Sequence, residues 1–155
     1  GKYDAVFSLF HVVNYVTTNQ DLHSYFSKIS WSLKPGGYLI FDSWHTPSVY
    51  SIKPSKRTKR FENDEMSVMR YSESSIDPVL NLINVSFDIE IEAKTESPIT
   101  QRISESHLMR PFSIPELGLL LNLYNLRLHA VYNNLSKEVP TLENWDICIV
   151  CRKEE

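Results

Sequence analysis

Lys2-Tyr3-Asp4-Ala5-Val6-Phe7-Ser8-Leu9-Phe10 and Lys34-Pro35-Gly36-Gly37-Tyr38-Leu39-Ile40-Phe41-Asp42 are two apolar runs that bracket one amphipathic segment. Ala5 to Phe10 is nearly continuous in apolar residues, the pattern of a strand covered on both faces in a parallel sheet. Between the runs, Leu22, Phe26, Ile29 and Leu33 recur at helical spacing with Tyr25 beside them, which predicts a helix through Leu33. Thr18 caps its start, and Asp21 three residues on makes a carboxylate version of the capping box. Lys34 suits the negative end of the helix dipole, and Pro35 with two glycines turns the chain into the next strand. Strand, crossover helix and strand predict a right-handed unit with parallel strands, hence an α/β fold.

Further on the period changes. Val85, Phe87, Ile89 and Ile91 alternate with Asn84, Ser86, Asp88, Glu90 and Glu92, which predicts a half-exposed antiparallel strand. Met66–Tyr71 and Gln101–His107 are its expected partners, with turns at Asp77-Pro78 and Ser97-Pro98. An antiparallel β insertion is therefore expected over about residues 46–110, its strands falling beyond about residue 60. The parallel theme is expected to return after it. Ser113-Ile114-Pro115-Glu116 is a capping box with proline in the first turn. Leu117, Leu120, Leu121 and Tyr124 form the buried stripe of that helix, and two strands follow, Leu126–Tyr132 and Trp145–Cys151.

The totals set limits. The 155 residues suit one domain. Nineteen acids against sixteen bases leave a net charge of −3, which argues against wholesale nucleic-acid binding. The basic run Lys53, Lys56, Arg57, Lys59 and Arg60 reads as a solvated loop. No apolar stretch approaches the ~20 residues of a membrane span. Cys148 and Cys151 form a C-x-x-C, but inside a strand they point to opposite faces, and no second pair completes a zinc site. They are expected as reduced, buried thiols, in keeping with a cytoplasmic protein.

Tyr3-Asp4-Ala5-Val6, Leu33-Lys34-Pro35-Gly36-Gly37 and the run from His107 to Leu117 are three stretches that together resemble class I S-adenosylmethionine-dependent methyltransferases. Tyr3-Asp4-Ala5-Val6 resembles the family's [FY]-D-x-V strand, and Leu33-Lys34-Pro35-Gly36-Gly37 its L-K-P-G-G strand entry. His107-Leu108-Met109-Arg110-Pro111-Phe112-Ser113-Ile114-Pro115-Glu116-Leu117 resembles its H-x-x-R-x-F-S-x-x-E-L passage. Their order, with an antiparallel insert between the second and third, is similar to the small-molecule and amino-sugar N-methyltransferases. The resemblance implies the C-terminal half of a Rossmann-like methyltransferase sheet, one partial domain over residues 1–155. It implies S-adenosylmethionine as cofactor and a small polar acceptor, an amine among the candidates. The glycines are Gly1, Gly36, Gly37 and Gly118, so the family's G-x-G-x-G cofactor loop is not among these residues. The expectation is therefore a truncated chain, inactive alone, from an active parent enzyme.

In open α/β sheets ligands sit beyond the carboxyl ends of the strands, here Ser8–His11 and Asp42–His45. By resemblance Ser8, Leu9, Phe10 and His11 border the cofactor. Asn14 and Tyr15 on the connector and Trp44 beyond the second strand are candidate acceptor contacts. His107 and Arg110 resemble positions that close over the acceptor pocket, although Glu105 is a plain structural partner for Arg110. His45, three residues past the strand, is the candidate general base because imidazole titrates near neutral pH; the alternative is an exposed loop histidine. No metal cluster is expected. Two other readings stay open: an assembly module that forms a homodimer through the open edge of strand 3–10, and half of a nicotinamide-dependent dehydrogenase.

Overall fold

The computed structural model describes residues 1–95 and 100–154, so the Ser97-Pro98 turn lies outside the described residues. The chain divides into two compact units, Gly1–Lys53 with Arg110–Glu155, and Pro54–Met109.

In the first unit the order is β1 (Tyr3–Ser8), a 3-10 turn (Val12–Tyr15), α1 (Asn19–Ser32), β2 (Leu33–Trp44) and α2 (Thr46–Ile52). Elements α3 (Ile114–Asn122), β7 (Leu126–Asn133) and β8 (Asp146–Lys153) complete it. Thr18 Oγ1 accepts the Asp21 N–H at 3.1 Å and its hydroxyl donates to the Asp21 carboxylate at 2.6 Å, so the cap forms as read. The helix stops one residue early, with Leu33 already extended. Its last carbonyls are held by Lys153, whose Nζ donates to Ser30 O at 2.5 Å and Leu33 O at 2.9 Å. Lys34, expected in that role, instead pairs with Asp4 at 2.9 Å. Leu33–Gly37 enter β2 rather than forming a separate turn, and the β1–β2 register shifts there, from Tyr3↔Leu33 to Ala5↔Tyr38. Gly37 has to be glycine: a Cβ would lie 2.9 Å from Lys34 O and 3.1 Å from Asp4 O.

The sheet order is β1-β2-β8-β7. β1 and β2 are parallel, whereas β8 is antiparallel to both β2 and β7. The parallel theme thus returns only in β7, and the last strand inserts against the grain. Leu22, Phe26, Leu33, Leu39, Phe41, Leu117, Leu121, Leu126, Ile147 and Ile149 build the core between this sheet and helices α1 and α3. Phe26 meets Phe41 edge-on at 5.9 Å. β1 lies at an edge of the sheet among the described residues, in line with the open edge expected of strand 3–10, but one of its faces is open, contrary to its reading as covered on both. Val6 packs on the core, but Tyr3 is 57% and Phe7 63% exposed. Cys148 and Cys151 are free and buried, and burial pushes the Cys151 thiol up to about 12, too high for a reactive thiolate.

The second unit is one antiparallel sheet, β3 (Arg57–Glu62), β4 (Met66–Asp77), β5 (Leu82–Ala93) and β6 (Thr100–Met109), in sequence order. Asp77 Oδ1 accepts the N–H groups of Val79 and Leu80 and closes the β4–β5 turn. Most of the basic run, read as a loop, is the exposed edge strand β3. Charge on a sheet edge opposes pairing with a further strand. Among the described residues no helix is long and apolar enough to cross a membrane.

Candidate functional site

The carboxyl ends of β1 and β2 lie side by side, and the chain leaves β1 in an unusual way. Phe10 and His11 both have left-handed backbone, φ 65° and 60°. Bulky residues rarely adopt that conformation, and it persists only where surrounding structure enforces it. Here the enforcing group is Asp42 near the end of β2. Its carboxylate accepts the Phe10 N–H at 3.1 Å and the His11 N–H at 3.0 Å.

The His11 imidazole reaches toward two carboxylates. Nε2 is 3.0 Å from Asp146 Oδ1 and 3.6 Å from Asp42 Oδ2. The Asp146 contact raises the His11 pKa, partial burial opposes that rise, and the charges of Asp146 and Asp42 add to it. The ring is 6.1 Å from Trp44, which meets Trp145 edge-on at 5.8 Å. Ser8 Oγ accepts the Tyr25 hydroxyl at 2.5 Å, and Leu9 is half-buried. Phe10 is 87% exposed. These groups bring two carboxylates, an imidazole and two indole rings close together at the strand ends.

Asn14 is fully buried. Its amide donates to Ser43 Oγ at 3.1 Å and Arg110 O at 2.6 Å, while Oδ1 accepts the Trp44 N–H at 3.2 Å. It locks the connector to the end of β2, with both amide hydrogens used inside the protein. Tyr15 is half-exposed at the end of the 3-10 turn. Arg110 pairs with Glu116 at 2.7 Å and donates to Asn19 Oδ1 at 2.7 Å, so its partner is Glu116 and not Glu105. Glu105 faces His107 at 3.4 Å, on β6 of the second unit, where His107 also meets the Phe87 ring.

His45 is no exposed loop histidine. It is 8% exposed and makes an isolated parallel bridge with Phe112. Ser48 Oγ donates to Thr141 O at 3.2 Å and lies 3.0 Å from His45 Nδ1. With the hydroxyl proton used at Thr141, Oγ accepts from Nδ1–H and the lone pair stays on Nε2. Burial lowers the His45 pKa and favours the neutral ring. Sequence reading did not single out Asp146, and it placed Asp42 at the ligand-facing strand end without giving it a role. Their signal is position, one near the end of β2 and one at the start of β8, and only the antiparallel pairing Trp44↔Asp146 brings them together. Among the described residues no group of three or more His, Cys, Asp and Glu is placed to hold a metal ion.

No family model matches the chain. A crystal structure of an S-adenosylmethionine-dependent methyltransferase from Clostridium acetobutylicum ATCC 824 superposes over 99% of it, with a TM-score of 0.78 at 21% identity. The chain has the fold of the S-adenosylmethionine-dependent methyltransferases. The sugar N-methyltransferase KedS8 from Streptoalloteichus sp ATCC 53650 superposes over 99% with a TM-score of 0.79 at 16% identity. By sequence the chain is 24% identical, over all 155 residues, to the Bacillus subtilis (strain 168) protein named "Putative methyltransferase YqeM". It spans 60% of that relative, and 59% and 57% of the two solved chains.

Proposed function

We propose that this chain is the C-terminal part of an S-adenosylmethionine-dependent methyltransferase acting on a small polar acceptor, an amine, and that the strand-end cluster of His11, Asp42, Trp44 and Asp146 borders its reaction site. The observation that carries the reading is the strained pair Phe10–His11, clamped by Asp42 where parallel strands end. A cationic cofactor suits this place, with Asp42 and Asp146 for its charge and Trp44 for its π-face contact. Ser8, Leu9, Phe10 and His11 would border it. When bound, that cofactor supplies an electrophilic methyl group on a sulfonium. The G-x-G-x-G loop is not among the 155 residues, so in this reading further residues hold the nucleoside and these alone do not turn over.

The chain's own groups then have definite tasks. Trp44 and Tyr15 wall the acceptor and exclude water, and Asn14 holds Trp44 in place through its backbone. His45 receives the acceptor's proton at Nε2, kept neutral by burial. The buried free thiols of Cys148 and Cys151 suit a reducing cytoplasm. Calorimetry on the longest chain encoded by the reading frame tests this. S-adenosylhomocysteine should bind and Asp42→Asn should weaken it. Binding of NAD in its place would move the assignment to a dehydrogenase.

A second reading is favoured by one observation. Among the described residues β1 pairs on one edge, with β2, and Tyr3 and Phe7 are exposed, so its other edge is a means of pairing with another copy.

A further inference from the structure

The sheet of the second unit treats its two faces differently. On one face the cations are paired: Arg60 with Glu62 at 2.9 Å and Arg102 with Glu90 at 3.1 Å. On the other face Lys59 stands directly opposite Arg70 in the β3–β4 register. Like charges placed directly across two strands repel. Among the described residues no carboxylate pairs with either of them. The acid on this face, Glu105, is engaged by His107.

Arg70 is held between two rings, 5.9 Å from Phe61 and 5.3 Å from Phe87. Its Nε is buried and has no hydrogen-bond partner. Flanking rings attract the guanidinium through their π-faces and leave its N–H fork for an external oxyanion. A half-buried charge without a counter-ion is costly, and a ligand that brings the counter-charge removes that cost. Two adjacent cations match a dianion better than a monoanion.

We propose that Arg70 and Lys59, flanked by Phe61 and Phe87, form a binding site for a small phosphate monoester with an apolar or aromatic body. The site lies wholly in the second unit and does not depend on the methyl-transfer reading. Two members of the basic run are thereby separated: strand pleating puts Lys59 on the face of Arg70 and Arg60 on the face where it is paired.

The test is an NMR titration of the protein with phenyl phosphate, inorganic phosphate and benzoate, following the Arg70 Nε–H resonance and the ring signals of Phe61 and Phe87. Saturable shifts are expected at those groups, tightest for phenyl phosphate. Arg70→Gln should weaken binding at least about tenfold, the loss of a charge-assisted hydrogen bond. Lys59→Gln should weaken it several-fold, and Arg60→Gln should leave it unchanged. Should Arg70→Gln fail to fold, Arg70→Lys keeps the charge without the fork and should also bind more weakly. The proposal is overturned by the absence of a saturable shift, by undiminished affinity in the Arg70 variant that folds, by equal loss in Arg60→Gln, or by benzoate binding as tightly as phenyl phosphate.

Discussion

Phe10 and His11 hold a backbone conformation that side chains with a Cβ avoid, and Asp42 holds them there with both carboxylate oxygens. The second anchor is the His11–Asp146 pair, and its titration makes the arrangement measurable. His11 has a folded pKa above its ordinary value, chiefly through Asp146. The stability it contributes is therefore complete below the ordinary histidine value near 6.5 and is lost as pH rises through the raised folded value. His45 works in the opposite sense. Its pKa is lowered by burial, so the cost of charging it grows as pH falls below about 6.5. We predict that Asp146→Asn removes the largest upward influence on His11, leaving burial as the main influence and its pKa clearly lower. Histidine side-chain NMR across pH 5–9 reads this directly, and an unmoved His11 titration would refute the pairing. Neither aspartate stands out locally. Each is one polar residue at the limit of an apolar strand, and its role appears only when two strands distant in sequence are laid together.

At the scale of elements, the helices were legible because their signals are local. Thr18 and Ser113 accept the N–H three residues on, at 3.1 and 3.4 Å, and the apolar stripes of α1 and α3 fall where helical spacing puts them. Thr18→Ala is expected to cost about 1 kcal/mol. That corresponds to a fall of about 2–4 °C in the thermal midpoint, measured by circular dichroism. A change several times larger would mean that Thr18 holds more than its helix. The C-terminal end of α1 was not legible. Lys34 is the nearest cation in sequence, but Lys153, 120 residues beyond Leu33, reaches the carbonyls because β8 lies beside β2. α2 went unforeseen, having only seven residues and no side-chain cap. β3 was misread because an exposed edge strand needs no apolar face, and hydrophobic periodicity is then silent.

On the scale of the whole molecule, the decisive feature is the order β1-β2-β8-β7 with one antiparallel member. Among the described residues it gives β1 a partner on one side, β2, and leaves Tyr3 and Phe7 exposed on one face. If β1 associates with another copy, sedimentation of the 155-residue chain should show mass rising with concentration. Phe7→Lys should suppress that rise without altering the far-ultraviolet spectrum. A concentration-independent monomer would exclude this mode of assembly. The sequence by itself determined the α/β class, the capped helices and the antiparallel middle, because period, capping and turn chemistry act within a few residues. Tertiary structure alone decided that the last strand runs antiparallel between β2 and β7, and that Asp42 and Asp146 flank His11. It also decided that Asn14 clamps the connector to the end of β2. Strand pairing joins residues more than a hundred positions apart, and nothing in a local pattern records which partner a strand will find.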